Sequence, residues 1–186
     1  MNRKSGALIL GICLALTLFL FTSWAAAQPK EGENVGNLKF AAPISPDDSK
    51  YLGLAQAGPF SLKDIKAQYV ILDFFSTTCS HCFHQAPTLN ALYSLVAQNP
   101  KLKDKLKFIG VGAHDNPFKL QYWKQNFKVP FPLIPDVEGA MFKSLKMPGT
   151  PIMLVVDKDG KVVYTHLGAI ESADGTLKEI LGKIKL

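Results

Sequence analysis

The sequence predicts an α/β fold, a three-layer sandwich in which a mixed central sheet carries helices on both faces. Three observations lead to it. Residues 69–75 and 106–111 are short, nearly continuous apolar runs rich in β-formers, as strands buried on both faces require, and each precedes apolar residues at helical spacing. Two β-rich runs, 152–156 and 161–166, flank Asp157-Lys158-Asp159-Gly160, and an Asp-Gly pair in that setting marks a hairpin. Leu177, Ile180, Leu181 and Ile184 fall at i, i+3, i+4 and i+7 of a C-terminal amphipathic helix. Strand-helix-strand-helix implies a right-handed parallel crossover, to which the hairpin adds two antiparallel strands.

Taken in order, the chain opens with Arg3 and Lys4, an apolar run over 7–24 that contains Cys13, and Ala25-Ala26-Ala27. This is a secretory signal pattern with cleavage after Ala27, although the run is also long enough for retention as an N-terminal membrane anchor. Either outcome places the folded domain in the periplasm or another extracytoplasmic space. Residues 28–50 read as an extended arm, with Pro29, Gly32, Gly36, Pro43 and Pro46 among polar residues and only Leu38 and Phe40 as apolar anchors. A short strand is expected over 51–54, and Phe60-Ser61-Leu62 leads into a turn or short helix over 63–66. The first central strand, 69–75, is interrupted by Asp73. A helix follows from Ser80 to Asn99, kinked at Pro87 and stopped by Asn99-Pro100. After the second strand, Asn116-Pro117 starts a helix that runs to Phe127. Pro130, Pro132 and Pro135 restrict 131–134 to an edge position, and a short helix is expected over 137–145. The whole is one domain over 51–186, with an insertion at 114–145.

Composition narrows the function. Formal net charge is +6, but two of the 21 basic residues sit in the leader and the others read as a lysine-studded solvated surface, so nucleic acid is not an expected partner. Arg3 is the only arginine. The exported domain therefore lacks bidentate guanidinium recognition of phosphate or carboxylate. Beyond the leader only Cys79 and Cys82 remain, which excludes a disulfide-rich scaffold and leaves a small structural loop, a metal clip or a redox centre.

Cys79-Ser80-His81-Cys82 directly follows a buried strand and opens a helix. The first sulfur then lies at a helix N-terminus, where unpaired N–H groups and the macrodipole favour the thiolate, so Cys79 is the expected nucleophile. Cys82, one turn further in, can attack a mixed disulfide at Cys79 and is the expected resolving thiol. A purely structural disulfide here closes too small a loop to restrain the unfolded chain.

The segment from Asp73 through Cys82, followed by Pro87, resembles the thioredoxin active site in spacing. Downstream, Met147-Pro148-Gly149-Thr150-Pro151 resembles the cis-proline loop of that family. Export, the Phe60-Ser61-Leu62 lead-in and the 114–145 insertion are similar to the TlpA/ResA-like extracytoplasmic subgroup, over roughly residues 35–186. The resemblance implies a thioredoxin-like sheet of four or five strands and a disulfide-exchange enzyme that acts on extracytoplasmic protein thiols and disulfides as a monomer. It implies no cofactor beyond the redox-active Cys79–Cys82 disulfide, a membrane electron donor, and a role in cytochrome c maturation. The partner would dock beside Pro151, with Thr150 offering its backbone and Ser80 and His81 completing the contact. Asp73 matches the family's buried acid, and an acid in a dry strand should have a raised pKa and shuttle the proton of Cys82. The plainer alternative is that Asp73 only bonds a neighbour or faces solvent.

The departures from the family bear on substrate preference. Phe75 and Thr78 stand where Trp is usual, and Gln85 where several members carry a carboxylate, which predicts a weakened aromatic platform near Cys79. His81 occurs in the same position in DsbA-like oxidases, so a disulfide-forming oxidase is an alternative direction of electron flow. A second alternative, a copper-binding metallochaperone, rests on the crowding of Cys79, His81, Cys82 and His84, with His114 or His166 as the remote ligand. Related copper carriers space their cysteines by three residues, so no metal site is expected, and His84, His114 and His166 read as surface or loop residues. Peroxiredoxin chemistry is set aside because Leu72 and Ser76 occupy the places of its Pro and Thr and no arginine is available.

Overall fold

The computed structural model describes residues 28–185. The leader, its cleavage site and Cys13 lie outside them. Seven strands, β1 (Lys39–Phe40), β2 (Phe60–Ser61), β3 (Tyr69–Phe75), β4 (Leu106–Ala113), β5 (Leu133–Asp136), β6 (Ile152–Asp157) and β7 (Val162–Leu167), are described. Five α-helices lie among and after them: α1 (Pro46–Leu52), α2 (Ser80–Gln98), α3 (Pro117–Phe127), α4 (Ala140–Ser144) and α5 (Ala173–Lys183). Five strands form the central sheet in the order β5-β4-β3-β6-β7. β3, β4 and β5 are parallel, and β6 and β7 run antiparallel.

β3 sits in the middle, and six of its seven side chains are buried, which is why it reads as an unbroken apolar run. Its alternation separates two cores. Ile71 and Phe75 face a cluster shared with Ala86, Leu89, Leu120 and Ile180 of α2, α3 and α5. Val70, Leu72 and Phe74 face a second cluster with Phe40, Leu52, Phe60 and Leu62. Asp73 falls on the parity of Ile71 and Phe75, so the pleat alone aims it at α2. The β4-α3-β5 continuation repeats the crossover that β3-α2-β4 begins, with α2 and α3 contributing to the same core cluster. The insertion expected at 114–145 is thus part of the sheet: it supplies α3, the edge strand β5 and α4.

Two local expectations are corrected. α1 takes over the end of the extended arm, residues 46–50, and the start of the strand expected over 51–54, while residues 28–45 stay non-helical. Pro46 at its first turn, Asp47 and Asp48 beside the N-terminal amides, and Gly53 in the left-handed region (φ 70) donating to the carbonyls of Lys50 and Ser49 together define a helix. The helix expected over 137–145 contracts to α4, because Gly139 at φ 65 still belongs to the turn. A Cβ at Gly139 would collide with the His114 ring. Phe60–Ser61 pairs with Lys39–Phe40 as a short antiparallel ribbon, and Leu62–Asp64 forms a 3-10 turn closed by reciprocal Ser61 and Asp64 hydrogen bonds. α2 continues through Pro87. A buried ion pair that nothing in the sequence announced ties α1 to α3: Lys124 Nζ reaches Asp48 at 2.9 Å and donates to the Phe131 carbonyl at 2.8 Å.

Candidate active site

β3 delivers the chain to the C-terminal edge of the sheet, and Ser76-Thr77-Thr78 turns it into α2. Cys79 is the N-cap of that helix, in extended conformation (φ −86, ψ 117), and its sulfur accepts from the Cys82 N–H at 3.4 Å. Its thiol also donates to the Thr150 carbonyl at 3.3 Å. The Thr150–Pro151 peptide is cis. Cys79 is partly exposed, whereas Cys82 is 2 % exposed. Both are free thiols.

The electrostatics separate the two sulfurs. Burial of Cys79 works against its thiolate but is outweighed by hydrogen bonds from the side chains of Cys82 and Thr150 and from the backbone N–H groups of Cys82 and His81, so its pKa falls below the ordinary thiol value. Burial pushes Cys82 far up, and its hydrogen bond to Cys79 adds to the shift. The two sulfurs are thus set apart, one favoured as thiolate and the other held as thiol.

Asp73 is 4 % exposed and lies behind Cys82, where both side chains line one small internal cavity. Burial raises its pKa to about 7, against a hydrogen bond from Gln85 that lowers it. Gln85, buried as well, donates through Nε2 to Asp73 Oδ1 at 2.8 Å and accepts through Oε1 from the Ile170 N–H at 3.0 Å. The residue that the sequence marked only as a departure from its relatives is therefore a bridge between the acid on β3 and the loop before α5. Asp73 does bond a neighbour, as its plainer reading supposed, and it is not turned to solvent.

Asp115 was missed. It is 1 % exposed, at the turn between β4 and α3, and its carboxylate accepts from Thr77 N–H at 2.7 Å and Thr77 Oγ1 at 2.6 Å. Two short bonds to an anion fix the loop that carries Cys79. The available signal was its place: an acid at the C-terminal end of a parallel strand, where sites on open α/β sheets gather.

Ser80 and His81 occupy the exposed first turn of α2. His81 lines an open groove of about 510 Å³ with Gly149, Thr150, Pro151, Leu167 and Glu171. The expectation of a weakened aromatic platform meets a different arrangement, in which Trp123 of α3 packs 5.2 Å from Phe75 and 4.9 Å from Phe83, ring centre to ring centre. His84 and His114 are exposed and His166 is half-buried. Among the described residues no three His, Cys, Asp or Glu side chains gather as a metal ion would require.

Residues 41–165 match the AhpC/TSA family. The chain belongs to that family. It is similar to the thiol-disulfide oxidoreductase ResA of Bacillus thuringiensis subsp. konkukian, at 32% identity over 124 residues that make up 66% of this chain and 67% of ResA. Among solved structures it is similar to StoA from Bacillus subtilis, with a TM-score of 0.57 and 20% identity over 77% of this chain and 96% of StoA. It also resembles the thioredoxin domain of a thiol-disulfide oxidoreductase from Bacteroides vulgatus, with a TM-score of 0.60 and 19% identity over 82% of this chain and 99% of that domain. The fold is thioredoxin-like, and this AhpC/TSA member is a thiol-disulfide oxidoreductase of the ResA type. Family membership brings no peroxidatic signature with it, since residues 28–185 contain no arginine.

Proposed function

We propose that the chain is an exported reductase of disulfides in extracytoplasmic proteins, and that Cys79, Cys82 and Asp73 perform the exchange. The observation that carries this reading is the ordered stack from surface to interior. Cys79, with its lowered pKa, lies 3.3 Å from the Thr150 carbonyl, Cys82 with its raised pKa follows, and Asp73 with a pKa of about 7 lies behind.

In the first step the Cys79 thiolate attacks one sulfur of the partner disulfide, forming a mixed disulfide and releasing the other sulfur as a thiolate. Asp73 then takes the proton of Cys82. The Cys82 thiolate attacks Cys79 Sγ, the bond from Cys79 to the partner breaks, and the partner leaves with the electron pair. Two electrons have passed to the partner, and the Cys79–Cys82 disulfide is the oxidised product, so no other cofactor is needed. A membrane electron donor restores the dithiol. The groove lined by His81, Thr150, Pro151 and Leu167 receives the partner segment, with Ser80 at its rim, and the protein acts as a monomer. The leader pattern and the ResA relatives support export and, as the finer reading, reduction of an apocytochrome c disulfide to its thiols during cytochrome c maturation. Among the described residues no helix is long and apolar enough to cross a membrane.

Trapping tests the mechanism. Cys82→Ser in the full chain should accumulate mixed disulfides at Cys79, while Cys79→Ser should form none and lose reductase activity. Reductase activity surviving in Cys79→Ser would refute the assignment.

A further inference from the structure

The groove beside Thr150 and Pro151 differs in charge from the domain around it. Of the 21 basic and 15 acidic residues only Arg3 and Lys4 precede residue 28, so the described domain is net positive. No lysine lines the groove. Its walls are largely apolar, with Pro148, Pro151, Leu167 and Ala169 among them, and His81 adds an imidazole from α2. Glu171 is the one carboxylate among the described residues that line it. Its side chain is exposed and makes no salt bridge among those residues, so its charge is left for whatever occupies the groove.

The backbone on either side of Glu171 is tied down. The Gly168 N–H donates to the Pro151 carbonyl at 2.9 Å, which fastens the loop to the start of β6. The Ile170 N–H donates to the buried Gln85 side chain at 3.0 Å. Ser172, the next residue, is the N-cap of α5, and its Oγ accepts from the Gly175 N–H at 3.1 Å. The loop that carries the carboxylate is thus ordered before a partner arrives, which lowers the entropy lost when the charge is used.

We infer that Glu171 is a specificity-determining residue of the disulfide exchange: it selects partner segments with a Lys or Arg side chain flanking the disulfide and disfavours those with Asp or Glu there. Such selection presupposes that the partner disulfide docks in this groove for reduction by Cys79. The lysines elsewhere on the domain do not cancel it. At about 0.15 M salt the Debye length is about 8 Å, so distant charges are screened, whereas a side chain seated in the groove meets Glu171 directly. Complementary charge at an interface suppresses wrong partners, and one ion pair at about 4 Å in water-like surroundings is worth about fivefold.

Two oxidised peptides, each with one intramolecular disulfide and differing only in Lys or Glu beside the cysteines, test this at about 0.15 M salt. The quantity measured is the second-order rate constant of the reduced full chain with the Lys peptide over that with the Glu peptide. It is divided by the same ratio for dithiothreitol, which reports how readily each peptide yields to any thiolate. The wild-type chain should give about five. Glu171→Gln should bring the ratio to about one, Glu171→Lys should invert it, and Glu171→Asp should keep most of it. Both peptides meet the same variant, so a general loss of activity cancels. A carboxylate here also suits the macrodipole of α5, but that role would move stability and leave the ratio alone. With both peptides reduced, a wild-type ratio near one, or a ratio unmoved in Glu171→Gln and Glu171→Lys, would overturn the assignment. Reduction of neither peptide by the wild-type chain would instead overturn the reductase reading, and the selection with it.

Discussion

Replacing Asp73 by Asn should make the folded protein more stable and less active, by amounts that depend on pH. The substitution keeps the shape of the side chain and leaves an oxygen for Gln85 Nε2, which donates to Asp73 at 2.8 Å. What it removes is a carboxyl group whose pKa burial raises from 3.8 to about 7. In the unfolded chain that group loses its proton near 3.8, and in the folded chain near 7. Between those values the folded state binds one proton more than the unfolded state, so stability falls as pH rises through this window and levels off above it. Three pH units at 1.36 kcal/mol each put the loss on the order of 4 kcal/mol. The Asn variant lacks that slope. Guanidinium chloride unfolding of the two reduced proteins should give nearly equal stabilities at about pH 4, with a difference in favour of Asp73→Asn that grows to on the order of 4 kcal/mol by about pH 8. In the same variant, release of the partner from the mixed disulfide should slow by about 10²-fold while the attack by Cys79 is unchanged. Parallel stability curves for the two proteins would refute the raised pKa and, with it, the reason for assigning Asp73 the proton.

Two further substitutions test how the site is held. Asp115→Ala removes both short hydrogen bonds to Thr77, so reductase kcat/KM should fall on the order of tenfold and stability by about 2 kcal/mol. Steady-state kinetics and chemical unfolding check the two effects, and unchanged kinetics would mean that the loop carrying Cys79 needs no clamp. Asp48→Ala leaves Lys124 charged and largely buried against the Phe131 carbonyl. It should cost about 3 kcal/mol of stability with kcat intact, since neither residue lines the groove at Thr150–Pro151 or bonds either cysteine, and a melting curve that does not move would contradict this.

The sheet was legible because its strands are buried on both faces. β3 and β4 read as apolar runs, and the Asp-Gly turn gave the pairing of β6 with β7. The candidate site was legible for a different reason: Cys79 and Cys82 are close in sequence, and the parity of β3 alone aims Asp73 at α2. What escaped depends on contacts between distant segments. Asp115 meets Thr77 across 38 positions, and Gln85 reaches Ile170 across 85, so neither has a local pattern. α1 was misread because its capping signals, Pro46-Asp47-Asp48 and Gly53, are also turn residues, and so short a helix shows too little apolar periodicity to separate the two. Its stability comes from packing, Leu52 being wholly buried in the second core, and from the Asp48–Lys124 pair. The aromatic surround of the site has no local signature, because Trp123 comes from α3 and meets Phe75 across 48 positions.

The reduction potential of the Cys79–Cys82 couple in the full chain, equilibrated against glutathione or a reference thioredoxin, tests the reductase reading most directly. The account predicts a two-electron couple near thioredoxin's ~−270 mV, abolished in Cys79→Ser and in Cys82→Ser. A value near the ~−120 mV of a strong oxidant such as DsbA would reverse the direction of electron flow and contradict the account.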